Sequence, residues 1–417
     1  MRDERTEVLV VGAGPVGLFT AILAAEAGLA VKIIDQEART TARSYACALH
    51  PRTLKLLDDS GLATPILHQG RRTETMAFYE HESRRAEVRL SELGGAFPFL
   101  LILPQSTVEE VLEQRLQKAG VAVNWHHRFD SYQEQGDEAI AAVEELGGTA
   151  TGYIVPHWET VVKQRIPVRT RFMVGADGHG SLVRHRLGIE NTRVAGPEFF
   201  AAYEFEADGA PEQEVRVVLD ETTTNVLWPL AGNRCRWTFQ LLKSKGATDF
   251  PQKDRRPMRF AQPKVDEEIR QYVELVARQR APWFSAKVRA ITWCTDVVFE
   301  QRMAKAFGRD RCWLAGDAAH QTGPVGVQSM NAGLCEAADL VGAIRKILRE
   351  RAPAEALDTY NRERQDEWRR LLGLSGGLKA RANTNAWVSE RRARILPCLP
   401  AVDADLARLA AQLQLDF

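Results

Sequence analysis

Three stretches of the chain place glycines and a carboxylate at the end of an apolar run, a pattern suited to holding phosphates and sugar hydroxyls. The first is Gly12-Ala13-Gly14-Pro15-Val16-Gly17, which follows a β-branched run over residues 7–11. Gly12 permits a tight strand-to-helix turn, Gly14 lets backbone approach a pyrophosphate, and Gly17 lets the next helix pack close to the strand. That helix opens at Pro15 and Val16, carries Leu18, Ile22 and Ala25 on one face, and ends near Gly28. Its free amides and positive end point at the phosphates. A second run, residues 30–34, ends at Asp35-Gln36, where a carboxylate accepts hydrogen bonds from a ribose.

The second stretch follows residues 170–174 and reads Gly175-Ala176-Asp177-Gly178-His179-Gly180-Ser181. Its acid suits a sugar contact or a plain Asp-Gly turn. The third follows residues 311–315 and reads Gly316-Asp317-Ala318-Ala319-His320, then Pro324, Gly326, Met330-Asn331 and Gly333. Leu334, Ala338, Val341, Ile344 and Leu348 continue it at helical spacing. A helix starting near Asn331 aims amides at an electron-rich ring or a phosphate, and Asn331 is equally a helix N-cap. His320 reads first as a hydrogen-bonded structural histidine.

Other chemistries find little support. The six cysteines, Cys47, Cys235, Cys294, Cys312, Cys335 and Cys398, form no C-x-x-C pair and read as reduced thiols of a cytosolic protein. No ligand spacing suggests a metal, and no Ser-His-Asp or paired-carboxylate arrangement is evident.

Taken together, the three stretches resemble the group A flavoprotein monooxygenases, with the para-hydroxybenzoate hydroxylase fold, over nearly the whole chain to about residue 400. The resemblance implies noncovalent FAD. Gly12, Gly14 and Gly17, with Pro15 and Val16 between them, match the motif on the ADP half, and Asp35 with Gln36 the ribose-binding acid. Arg43 matches an arginine near the FAD and NAD(P)H access region, and Gln105, after Pro104, a flavin-contacting glutamine. Asp177-Gly178 matches the second motif, and Gly316-Asp317 the third, whose acid contacts the ribitol. Residues 324–333 resemble the loop beside the isoalloxazine ring, so Pro324, Gly326, Val327, Met330 and Asn331 count as cofactor contacts. The chain departs from the family at Val327 and Ser329, where glycines are usual, and at Glu336, where Asp is more frequent.

These residues need a frame. The alternation of apolar runs and helical segments predicts an α/β fold: a Rossmann-type FAD-binding domain, a mixed or parallel sheet with helices, carrying an inserted antiparallel β-sheet and C-terminal helices. The expected FAD domain is discontinuous, over residues 1–75, 101–130, 165–195 and 290–350; the substrate region covers 76–100 and 196–289, and a helical segment 351–417. Within the insert, residues 198–205, 214–219, 223–229 and 235–241 read as strands and 267–280 as a helix, with a mobile connection over 246–263. Residues 136–152 read as an acidic surface hairpin. Trp228, Trp237, Phe239 and Tyr203 are candidate pocket linings, each equally a core aromatic. Lys plus Arg and Asp plus Glu each number 55, so net charge gives no general attraction for nucleic acid or anionic membrane. The charged N-terminus lacks a signal-peptide pattern, and the glycine-broken run after it is no membrane span, which reads as a soluble cytoplasmic protein.

The resemblance further implies monooxygenation: NADH or NADPH reduces FAD, O2 is activated as the C4a-hydroperoxide, and an aromatic or similarly electron-rich small molecule takes one oxygen. His320, Pro324, Arg236 and Trp228 are the candidate pocket residues, with no base singled out. A flavin-dependent reductase or dehydrogenase of the same fold and a non-enzymatic flavin-binding protein are the alternatives. No W-x-W-x-I-P halogenase motif is present. The C-terminal helices are a candidate homodimer surface.

Overall fold

The computed structural model describes residues 4–40, 46–151, 157–208, 214–242 and 263–417. In chain order its main elements are β1 (Glu4–Val11), α1 (Pro15–Glu26), β2 (Val31–Ile34), α2 (Gln105–Lys118), β3 (Val123–Asn124), β4 (His157–Gly175), β5 (Glu198–Asp208), β6 (Glu214–Leu219), β7 (Thr224–Pro229) and β8 (Arg234–Leu241). They continue as α3 (Pro263–Arg280), β9 (Lys287–Phe299), β10 (Cys312–Leu314), α4 (Gln328–Glu350), α5 (Glu355–Leu371), α6 (Ala386–Ile395) and α7 (Asp403–Gln412).

The buried runs seen in the sequence become adjacent parallel strands in the order β10-β4-β1-β2-β3. Helix α1 is buried on almost every side and packs against α4 and α2, which is why it lacks a polar face. Two expectations shift here. The short strand expected at 170–174 is the end of the 19-residue β4. Residues 136–152 are not a surface hairpin: Glu138–Thr151 is a strand paired on one side with His127–Gln135 and on the other with β4. The alternating apolar residues of that segment cover the core, which outweighs its acidic composition.

The second sheet has seven strands, ordered β9-β5-β8-β7-β6, then Thr75–Glu80 and Ser83–Arg89. Period-two alternation gives it two different faces. Its inner face, with Phe200, Val226 and Trp228, joins the core of the parallel-sheet region. Its outer face carries Tyr203, Phe205, Trp237 and Phe239 under α3, packed with Trp283 and Phe284. Trp237 and Phe239 stack with centroids 5.1 Å apart. Three of the four aromatics expected to line a pocket, Tyr203, Trp237 and Phe239, are therefore core of the sheet–helix layer; Trp228 alone faces inward. The segment expected to be a mobile connection lies, up to residue 262, outside the described residues.

Among the described residues no helix is long and apolar enough to cross a membrane.

Candidate functional site

Parallel strands deliver their C-terminal ends to one edge, and ligands of such sheets bind outside that edge. Here β1 ends at Val11 before Gly12, β2 at Ile34 before Asp35, β4 at Gly175 before Asp177, and β10 at Leu314 before Asp317. The three glycine stretches, far apart in sequence, meet there. A Cβ on Gly12, whose φ is +105°, would lie 2.3 Å from the Ala176 carbonyl oxygen, so the first and second loops are in backbone contact. A Cβ on Gly316 would come within 2.9 Å of Val16, and one on Gly333 within 2.7 Å, which brings the third loop and α4 onto the start of α1.

Gly14 is different, because a Cβ there would meet nothing within 4 Å. Among the described residues nothing fills the space above it and no side chain caps α1. Helix α4 likewise has no side-chain cap. Two long helices thus present free N-terminal amides at the edge where the acids converge, as an anion site requires.

The acids differ in their surroundings. Asp35 Oδ2 accepts from Ala13 N at 2.6 Å and Oδ1 from Glu37 N at 2.8 Å, which ties β2 to the first loop; Gln36 beside it is exposed. Asp177 accepts from Ser181 Oγ at 2.6 Å and Val183 N at 3.1 Å, so it orders its own loop, and burial pushes its carboxyl up against those bonds. Asp317 reaches solvent but is crowded by protein, and that crowding pushes its carboxyl up, opposed by His320 and His179. This is the environment of an acid in a deep cleft.

The ring-side loop is held from behind. Asn331, fully buried, accepts from His50 N at 2.8 Å and donates to the carbonyls of Ala48 at 3.0 Å and Val327 at 2.8 Å. His50 Nε2 donates to the Gly326 carbonyl at 2.9 Å; burial lowers the imidazole pKa to about 4, so it is neutral and this nitrogen carries the proton. Val327 adopts a left-handed conformation, φ 51° and ψ 38°, which glycine takes without strain and a β-branched residue only with it. Met330 is buried and Pro324 half-buried, and the Ser329 hydroxyl stands beside Asp317, where it opposes the effect of burial on that carboxyl. Gln105 donates to Glu109 Oε1 at 2.8 Å, and Arg43 lies outside the described residues.

His320 is not a pocket residue. Its ring stacks on Trp368 with centroids 3.6 Å apart, and Nε2 donates to Glu336 Oε2 at 2.8 Å, with the side chain wholly buried. The same carboxylate accepts from Gly316 N at 2.8 Å and Trp368 Nε1 at 2.7 Å; His320 and these donors outweigh burial and hold its carboxyl below the usual range. Glu336, noted in the sequence only as a departure, is the anchor of the third loop. Arg184 was also missed as an anchor. It is buried and bridges the second loop, through His179 O at 3.1 Å, to the third, through Ala318 O at 2.6 Å. Its helix, Leu182–Arg186, carries three basic side chains, and nothing in the sequence marks Arg184 among them as the buried one.

Arg236, a candidate pocket residue, is buried in an ion pair with Glu204. Register places Trp228, Arg236, Glu204 and Trp293 in one row across β7, β8, β5 and β9, on the inner face. Arg236 Nε donates to Glu204 Oε1 at 2.8 Å, and its guanidinium lies 5.0 Å from the Trp293 ring centroid.

The C-terminal segment reaches both layers, which the sequence reading did not foresee. Arg394 donates to the Asp220 carbonyl at 2.5 Å in the β6–β7 turn, and Gln328 donates to the carbonyls of Leu396 at 3.3 Å and Leu399 at 3.1 Å. A Cβ on Gly326 would sit 2.6 Å from the Pro397 carbonyl oxygen.

Residues 5–374 match the model of a family described as FAD binding domain. A 6-methylpretetramide 4-monooxygenase of Streptomyces rimosus is 29% identical over 370 residues, covering 88% of this chain and 60% of its own length. A para-nitrophenol 4-monooxygenase of a Pseudomonas species is 27% identical over 86% of this chain and 82% of its own length. The crystal structure of p-nitrophenol 4-monooxygenase PnpA from Pseudomonas putida superposes with a TM-score of 0.73 over 99% of this chain and 94% of that one, at 22% identity, a likeness of fold. The chain spans only 60–66% of the length of several of the relatives it matches.

Proposed function

The chain belongs to the FAD-binding-domain family of flavoprotein monooxygenases, and from that membership we propose that it is an FAD-dependent enzyme inserting one oxygen atom of O2 into an aromatic small molecule, with NADH or NADPH as reductant. One observation carries the cofactor half: three loops and two uncapped helices converge on one sheet edge around open space at Gly14. That cradle fits a dinucleotide. Bound FAD supplies electron transfer and oxygen activation.

The chain's own residues then have separate tasks. The amides after Gly14 bind the pyrophosphate, and each Asp35 oxygen keeps a lone pair for a ribose hydroxyl. Asp317 accepts from the ribitol, positioned by Glu336 through Gly316. Pro324, Gly326, Val327, Met330 and Asn331 shape the ring's surroundings, and Gln105 borders it. Arg184 keeps the second and third loops in register. The inner face of the seven-stranded sheet is the substrate floor. Its row Trp228–Arg236–Glu204–Trp293 offers aromatic surface and a paired charge. The two sheets accordingly correspond to a cofactor unit and a substrate unit.

Relatives acting on para-nitrophenol and on 6-methylpretetramide favour a phenolic substrate of one or more rings. The test is NAD(P)H oxidation by FAD-loaded protein in air with a panel of phenols and naphthols, followed by product mass. A product one oxygen heavier is expected. A product two hydrogens heavier, formed equally without O2, replaces this reading with a reductase.

A further inference from the structure

The inner face of the second sheet begins at a carboxylate held by neutral amides. Glu198 is the first residue of β5. Two residues on, Phe200 joins the core beneath the inner face, whereas Tyr203 and Phe205 lie on the outer face, so alternation turns Glu198 inward. Gln240, paired with Phe200 from β8, shares that face and donates from Nε2 to Glu198 Oε1 at 2.9 Å. The other oxygen lies against the ring-side loop: a Cβ on Gly323, the residue before Pro324, would sit 3.4 Å from Glu198 Oε2.

These surroundings suit proton transfer better than those of the neighbouring acids. Glu204 is locked to Arg236 and stands roughly 20 Å farther along the strand. Glu336 is occupied by Gly316, His320 and Trp368. Glu198 is half-buried, and its donors, Gln240 and Gln301, use two of the about four positions at which a carboxylate accepts. Burial pushes its carboxyl up, opposed by those two amides and by Arg394. Arg394 from α6 and Cys398 after it are the charged and titratable groups facing this carboxyl. A carboxylate of raised basicity beside a reacting centre is what general-base catalysis asks for.

We propose that Glu198 is the base that takes the phenolic proton of the substrate, at the end of the sheet floor nearest the ring-side loop. This rests on the inner face being the substrate floor and on the monooxygenase reading. The phenol O–H bond breaks, its proton passes to Glu198 Oε2, and the electron pair left on the phenolic oxygen is drawn into the ring, which activates the ortho and para carbons toward oxygen. The proton returns to that phenolic oxygen when the hydroxylated ring regains its aromaticity. Before reaction, phenol and carboxylate share one proton, because two adjacent anions disfavour each other.

The experiment uses full-length FAD-loaded protein, wild type and Glu198→Gln, with 4-nitrophenol, whose phenolate alone is yellow. Glutamine keeps an acceptor for Gln240 and removes both the charge and the base. Retained flavin and an unchanged melting temperature check that the fold is intact. Difference spectra across pH, recorded without NAD(P)H, give the midpoint at which the bound ligand ionises. The adjacent carboxylate should raise that midpoint in wild type by at least about one pH unit over the variant, and above that of the free ligand. With NAD(P)H in air, oxygenated product from the phenols should form at least ~100-fold more slowly in the variant. The proposal is overturned if 4-nitrophenol does not bind, if the two midpoints agree, if the wild-type midpoint lies at or below that of the free ligand, or if the variant forms product at the wild-type rate. A raised midpoint in protein that forms no oxygenated product would sink the monooxygenase reading and leave Glu198 as the group that accepts from the phenol.

Discussion

Acidification should weaken this protein through His50, and the size of the effect follows from its burial. The imidazole sits wholly inside the protein, donating to Gly326 of the ring-side loop, with a pKa lowered to about 4 from an ordinary 6.5. The unfolded chain takes up a proton near pH 6.5, whereas the folded protein refuses it until about pH 4. Stability from this group is therefore complete above pH 6.5 and is lost as pH falls. The loss is about 2 kcal/mol at pH 5 and about 3 kcal/mol at pH 4. Glu367 opposes it: burial, with Asp403 beside it, pushes its carboxyl up, so the folded state holds that proton and gains as pH falls. The measurement is consequently a difference. Urea unfolding of wild type and His50→Gln at pH 7.5 and pH 5 separates the two, because glutamine keeps a donor for Gly326 and does not titrate. Wild type should lose about 2 kcal/mol more than the variant between those pH values. Equal losses would refute the neutral, buried His50.

Val327 tests the left-handed turn: removing its side chain costs about 2 kcal/mol, but glycine recovers the strain that alanine keeps, so Val327→Gly and Val327→Ala should unfold within about 0.5 kcal/mol of each other. A glycine variant weaker than alanine by 1 kcal/mol or more, as at an ordinary helix position, would deny the strain. Gly14→Val should purify without flavin, since its side chain enters the open space above α1; yellow protein with normal absorbance would remove that loop from the cofactor site. Arg184→Met should leave two backbone carbonyls unpaired, lower stability by about 2–4 kcal/mol and weaken FAD binding, both read by thermal melts with added FAD; unchanged melting would make the bridge dispensable. Asp317→Ala should raise the FAD dissociation constant at least tenfold in a fluorescence titration, and an unchanged constant would mean the third motif is misread.

Local signals were legible because each is a local necessity. A tight strand-to-helix turn needs Gly12, and close helix packing needs Gly17, wherever the rest of the chain goes. Carboxylates at strand ends, β-branched runs and helical spacing likewise identified the parallel strands, the long α4 and most strands of the second sheet to within a few residues. Side-chain direction was less legible. Trp237, Phe239 and Tyr203 look as suitable for a pocket as Trp228 does, and only the register of β5, β7 and β8 against α3 shows that three of them point away. A shift of one residue reverses a strand's faces, and composition does not report which face has a helix to cover it.

Sequence alone therefore determined the glycine turns and the strands that deliver them, because backbone turns and helix ends are set by neighbours a few residues apart, while the cofactor class followed from the resemblance of all three stretches to one family. Tertiary structure decided how those loops are held and which face of the second sheet is covered by a helix. Glu336 reaching Gly316 and His320, Arg184 joining two loops, His50 and Asn331 bracing the ring-side turn, and Gln328 fastened to the C-terminal segment are contacts across long stretches of chain. Each is a buried polar group whose partner is dictated by burial itself: once out of water it must find a donor or acceptor, and only the folded packing says which one is within reach.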